Sequence, residues 1–198
     1  MSYEPHDSLI RPARKSANPA RLVLGAGLAV AIYLSLLIFF VNALPSIIGP
    51  GAMSRLFDEE GGGYVFFTLF QFTFLIVALS MVLRTIHRRR LRSLIGQQER
   101  ALGDFWLCIR LLGPLYLFFW IMPMPDWLQL ERHLAIGQWL ILLPLALPLV
   151  MIQISAEELA FRGYLQSQLA ARFRHPVIWM GIPSALFGLL HYSPDVAG

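Results

Sequence analysis

Charge is scarce in this chain of 198 residues: only 14% are Asp, Glu, Lys or Arg. A soluble domain carries about 25%. With 57% hydrophobic residues and a mean hydropathy of +0.60, the composition is that of a membrane protein. Cysteine is almost absent, and the single Cys108 excludes an internal disulfide. It sits in an apolar run and is expected to be a small lipid-facing or core residue. Neither an H-E-x-x-H metal motif, an internal repeat nor a low-complexity tract is present. The net charge of +4 does not imply nucleic acid. The cations cluster between apolar runs, as membrane topology requires.

Five apolar runs are long enough, or nearly so, to span a bilayer, which takes about 20 residues. They are Leu22–Leu44, Tyr64–Leu83, Phe105–Met122, Leu134–Ile154 and Val177–His191. The first exceeds a signal-peptide core and has no clean cleavage site after it, so it is expected to be retained. Arg110 and Pro114 interrupt the third, with Arg110 expected to snorkel or pair near its end. Pro144, Pro148 and Pro183 are expected to kink their helices. The helix of the fourth run is expected to continue to about Phe173.

The predicted fold is therefore all-α, a polytopic bundle of about five spans in three parts. Residues 1–20 form a polar basic tail, disordered or lying on the surface. Residues 21–133 are the N-terminal transmembrane helices, and 134–198 a helical hairpin bearing the chemistry. The tail, the block Arg84–Arg92 and the turn Arg172–His175 are basic. Segments 45–63 (with Asp58-Glu59-Glu60) and 123–133 are acidic or neutral. Alternation across five spans puts every basic segment, and the N-terminus, in the cytoplasm, against anionic lipid. Trp120, Trp127 and Trp139 flank the break at Met122–Asp126 as interfacial aromatics. His6, His87, His133 and His175 fall in tails or at span ends and are expected at the surface.

The chemistry lies in Glu157-Glu158-Leu159-Ala160-Phe161-Arg162, at the end of the apolar stretch Leu140–Ile154. A charge inside a bilayer costs roughly 2.5–3.5 kcal/mol on insertion scales, so adjacent carboxylates there need a function. Glu157 lies 17 residues before Arg174, and His191 lies 17 after it. In an antiparallel hairpin turning near Arg174, the two share one depth, roughly 25 Å from the turn at 1.5 Å per residue. Glu158 and Arg162 are four apart and can pair on one face. Arg162 is expected to hold a buried carboxylate ionised. That leaves Glu157, about 100° away, as the working base. Phe187, four before His191, can pack beside the imidazole and line the substrate pocket. A purely structural role, a buried ion pair with a satisfied histidine, would leave Glu157 and His191 without partners except each other.

E-E-L-A-F-R and F-G-L-L-H, with their wider contexts A-E-E-L-A-F-R-G-Y-L-Q and S-A-L-F-G-L-L-H-Y-S-P-D, resemble the EExxxR and FxxxH motifs of the CPBP intramembrane proteases. That group includes the type II CAAX prenyl proteases and the Abi or bacteriocin-immunity proteins. The resemblance covers about residues 150–196. It implies an intramembrane endopeptidase of the cell membrane, with Glu157 and His191 activating water and Glu158 and Arg162 holding the site together. The substrate it implies is a membrane-associated protein or peptide, the prenylated CAAX type being one option. The family also carries a later histidine followed four residues on by Asn or Asp. Here only His191 and Asp195 have that spacing, and His191 already serves the second motif. The chain is thus expected to be C-terminally incomplete, or a natural inactive relative. The family has been labelled metalloprotease, but catalytic zinc usually takes three protein ligands. Only Glu157, Glu158 and His191 cluster, so water activation without a cofactor is expected, with zinc as the alternative. Two other readings use the same polar pocket: a non-catalytic immunity or scaffold protein binding a peptide, and, ranked below it, a proton-coupled transporter.

Overall fold

The computed structural model describes residues 4–56, 62–96, 98–122 and 135–192. Outside the described residues lie the Asp58-Glu59-Glu60 loop, the break after Met122 with Trp127 and His133, and Asp195, as do the side chains of His6 and Trp120. Among the described residues the chain is helical, with no strand. The helices are α1 (Glu4–Ala13), α2 (Pro19–Ile48), α3 (Pro50–Leu56), α4 (Gly62–Phe70), α5 (Phe72–Thr85), α6 (Gln98–Ile121), α7 (Ile136–Glu158), α8 (Ser167–Arg172) and α9 (Ile182–Leu190).

Among the described residues, four helical stretches are long and apolar enough to cross a membrane: Pro19–Ile48, Gly63–Thr85, Leu102–Phe119 and Ile136–Arg172. Val177–Leu190 is a shorter apolar helix. The second span is α4 and α5 joined at Gln71. The last runs from α7 through a π-helical segment, Leu159–Gln166, into α8. A second π segment, Val177–Gly181, leads into α9. Pro114, Pro144 and Pro148 all lie inside continuous helices. A membrane helix tolerates them because neighbouring groups satisfy the freed carbonyls.

Most of the large apolar side chains remain exposed, the pattern of a surface solvated by lipid rather than water. The core is small and holds α2, α5 and the π segment together through Ala29, Leu79, Val82, Leu83, Leu94 and Tyr164. Phe40 of α2 packs on Phe70 and Phe74 at centroid distances of 5.6 and 5.2 Å. Tyr33 donates to Gln71 Oε1 at 3.1 Å. Helix α7 lies against α4 and α5, so the motif-bearing helix rests on the α2–α5 pair. Every described side chain of α6 is exposed. Cys108 is exposed as expected, and Arg110 is exposed near the middle of α6, not near its end.

Three expectations are corrected. Of the two alternatives for the first residues, disorder does not hold: α1 packs on α8, and Ala13 and Ser16 are buried, while Arg11, Arg14 and Lys15 stay exposed. His87 is not a surface residue; it is 3% exposed. Its Nε2–H donates to the Tyr164 hydroxyl at 2.9 Å, and its Nδ1 faces Ser16 Oγ and Gln168 Nε2, both at 3.0 Å. Within the basic block Arg89 is also buried, 7% exposed, and its guanidinium donates to Ser93. These bonds join the N-terminal segment, the end of α5 and the motif helix into one buried polar cluster. The third correction, at the Glu158–Arg162 pair, belongs to the site below.

Gly25 of α2 makes the cluster fit. A Cβ there would meet the Tyr164 hydroxyl and come within 2.8 Å of His87 Nε2, whereas at Gly27 nothing lies within 4 Å. Glycine to alanine inside a helix gains about 1 kcal/mol in propensity, and overpacking a filled site costs about 1–3 kcal/mol. Gly27→Ala is therefore expected to raise the thermal midpoint in detergent, and Gly25→Ala to lower it. Equal shifts for the two would contradict this packing.

Candidate active site

The hairpin formed by the last two apolar helices brings the sequence-predicted groups together. Glu157 closes the last turn of α7 and His191 caps α9. Glu157 Oε1 lies 3.8 Å from His191 Nε2. Each arm includes a π segment, Leu159–Gln166 in the first and Val177–Gly181 in the second.

Each group is held by a neighbour four residues away. Gln153 Nε2 donates to Glu157 Oε1 at 3.2 Å. His191 Nδ1 lies 2.9 Å from the Phe187 carbonyl oxygen. A carbonyl only accepts, so Nδ1 carries a proton, and Nε2 is the nitrogen turned towards Glu157. The Phe187 ring lies against the imidazole, with centroids 4.2 Å apart, and Phe161 meets Phe187 edge-on at 5.3 Å. This aromatic clamp ties α9 to the π segment.

The Glu157 side chain is 15% exposed and that of His191 50%. A carboxylate shielded on one side facing a more open imidazole can address a molecule arriving from the His191 side. A cleft of about 160 Å³ beside Glu157 is lined by Glu157, Glu158, Phe161, Arg162, Gln166, Pro183, Ser184 and Phe187.

Glu158 and Arg162 pair at 3.3 Å as their spacing requires, but they are not buried. Their side chains are 47% and 76% exposed. The π segment begins directly after Glu158 and contains Arg162. The pair borders a second cleft of about 430 Å³, whose apolar wall includes Leu9, Leu94, Ile95 and Leu159. Gly163 allows the close approach there: a Cβ on it would lie 2.9 Å from Leu94 Cβ.

Sequence reasoning missed Gln153, Phe161 and Ser184. Gln153 carries a usable signal, a polar side chain one turn before Glu157 in an apolar stretch. Ser184 and Phe161 have none beyond helical spacing. No group of three or more His, Cys, Asp or Glu residues able to hold a metal occurs among the described residues.

Residues 138–198 match a family model described as type II CAAX prenyl endopeptidase Rce1-like. The match takes in Glu157, Glu158, Arg162, Phe187 and His191. Neither a curated protein nor a solved structure matches the chain. The matched segment is the one whose two arms carry the acidic and histidine motifs and bring them to 3.8 Å. Over residues 138–198 the chain is similar to the type II CAAX prenyl endopeptidases, a match that supports membership of the CPBP family.

Proposed function

We propose that this protein is an intramembrane endopeptidase in which Glu157 and His191 activate a water molecule for attack on a peptide carbonyl. The approach of Glu157 Oε1 to His191 Nε2, 3.8 Å, carries this reading. We take His191 Nε2 as an acceptor, and at that separation it does not bond Glu157 directly. A water about 2.8 Å from each subtends an angle of about 85° between them, close enough to its own bond angle to donate to both. Glu157 takes one proton as the water oxygen bonds to the carbonyl carbon. His191 Nε2 orients the other hydrogen. The protonated Glu157 then gives its proton to the leaving nitrogen as the C–N bond breaks, restoring the carboxylate.

Gln153 and the Phe187 carbonyl fix the two acceptors, so little reorganisation is needed when the water reacts. Phe187 and Phe161 form the apolar wall of the substrate cleft. Glu158 and Arg162 border the clefts on both sides of the motif helix and position the segment that bears Glu157. The substrate is a membrane-associated protein or peptide, and the family match favours the prenylated CAAX type. Lys15, Arg21, Arg88 and Arg172 line clefts at one end of the bundle, and the positive-inside bias supports reading that end, with the N-terminus, as cytoplasmic.

The chemistry needs no metal in this reading. Cleavage of a prenylated peptide ending in Cys-aliphatic-aliphatic-X by the full chain in proteoliposomes is expected to survive prolonged EDTA treatment with unchanged kcat. Loss of activity on chelation, restored by added zinc, would replace this mechanism with a metal-assisted one.

A further inference from the structure

Three cationic side chains converge on one cleft with no carboxylate to balance them. Lys15 follows α1, Arg21 lies in the first turn of α2 and Arg88 follows α5. All three line a cleft of about 460 Å³ together with Leu24 and Ile86. Nearby Arg14 is neutralised by Asp7 at 2.6 Å. Among the described residues no such partner meets Lys15, Arg21 or Arg88. Like charges gathered in this way repel, and an anion between them relieves the repulsion.

The backbone makes a costly conformation here. Arg88 has a φ of 51°, the only positive φ on a non-glycine among the described residues. A branched or long side chain in the left-handed region is sparsely populated, and such strain gathers at functional sites. The consequence is visible in the burial. His87 and Arg89 turn inward, and Arg88 between them turns out to the cleft. The turn is held by Arg89 N–H donating to Leu83 O at 2.8 Å.

Position along the bundle decides the ligand. The apolar part of α2 starts at Leu22 and α5 ends at Thr85. The cleft thus stands where both spans leave the hydrocarbon. Its cations lie on the polar side of that level, and Leu24 continues its wall into the apolar side. We propose that this cleft binds the phosphate of an anionic phospholipid headgroup, with Leu24 and Ile86 against the start of the acyl chains. A neutral zwitterionic headgroup offers no net charge for three cations, and free phosphate leaves the apolar wall unused.

The test uses the full chain in a non-ionic detergent, titrated with dioctanoyl phosphatidylglycerol, dioctanoyl phosphatidylcholine or inorganic phosphate, with binding read by native mass spectrometry. Saturable binding of phosphatidylglycerol is expected, at least tenfold tighter than of the other two. Each cation near an anionic headgroup is worth about fivefold. The Lys15→Gln, Arg21→Gln, Arg88→Gln triple variant is expected to weaken it at least tenfold. The control is Arg90→Gln, Arg92→Gln, Arg174→Gln, which removes equal charge from exposed positions outside the cleft, and it is expected to bind as the parent does. Equal loss in the control would overturn the site in favour of a diffuse basic surface. Phosphate binding as tight as the lipid would overturn the phospholipid assignment, and equal binding of phosphatidylcholine would overturn the charge recognition. Should the triple variant fail to fold by circular dichroism, Lys15→Arg, Arg21→Lys, Arg88→Lys keeps the charges. It is expected to retain parental affinity, and loss of binding in that folded variant would overturn recognition by charge.

Discussion

Glutamine at position 157 is expected to lower kcat by about 10²–10⁴-fold, the range for removing a positioned general base. KM should change little. Glu157→Gln keeps the volume of the side chain, and its carbonyl oxygen can still accept from Gln153, the bond seen at 3.2 Å. What it loses is the ability to take a proton from water. Glu158→Gln provides the comparison. Its carboxylate pairs with Arg162 at 3.3 Å with both side chains substantially exposed, so its loss should act on segment position and cost about tenfold or less. Turnover by purified full chain in proteoliposomes, with circular dichroism as the check on folding, measures both. Folded Glu157→Gln protein retaining more than a tenth of parental kcat would remove Glu157 from the role of base. If the parent cleaves no membrane peptide, and variant and parent bind one equally, a scaffold or immunity role fits better.

The sequence made the apolar spans and the motif pair visible because both rest on short-range regularities. Span length is read from composition. The level of Glu157 and His191 follows from equal distance to one turn. The spacing of Phe187 and His191 likewise anticipates their ring contact at 4.2 Å. What stayed hidden depends on partners distant in the chain or on a change of helix type. Nothing in Leu159–Gln166 announces a π segment, which arises where Gly163 lies against Leu94 and Tyr164 reaches into the core. Glu158 and Arg162 pair as their spacing predicts, but they are exposed, contrary to the burial their apolar context suggested. His87 stands in a run of arginines, and its neighbours alone indicate a solvated position. Its burial depends on Ser16, Gln168 and Tyr164, more than 70 residues away on either side, and on the absence of a side chain at Gly25.

Acid is expected to destabilise the fold through that histidine. Burial lowers the pKa of His87 from 6.5 to about 4, with the Arg89 and Arg21 cations adding to the effect. The groups around it give the proton nowhere to go. Ser16, Gln168 and Tyr164 are neutral partners, Arg89 and Arg21 are cations, and Lys15 and Arg88 line the adjoining cleft. Both ring nitrogens are already committed in the neutral form, Nε2–H to Tyr164 and Nδ1 to Ser16 and Gln168. Because the folded pKa lies below the unfolded one, the unfolded chain binds a proton first as pH falls. The stability associated with neutral His87 is therefore complete above about pH 6.5 and is lost progressively down to about pH 4. A depression of this size corresponds to about 3 kcal/mol. His87→Gln cannot titrate. It should be less stable than the parent at pH 7, where it disrupts the cluster, but it should lose less on acidification. Thermal midpoints of both proteins in detergent between pH 7 and pH 4 measure the difference, and the carboxylates and other histidines contribute equally to each. The gap between the two curves should close by most of that amount as the pH reaches 4. Curves that stay parallel would show that His87 gains a proton in the folded protein as readily as in the unfolded chain, and so is not held neutral at the junction of the N-terminal segment, α5 and the motif helix.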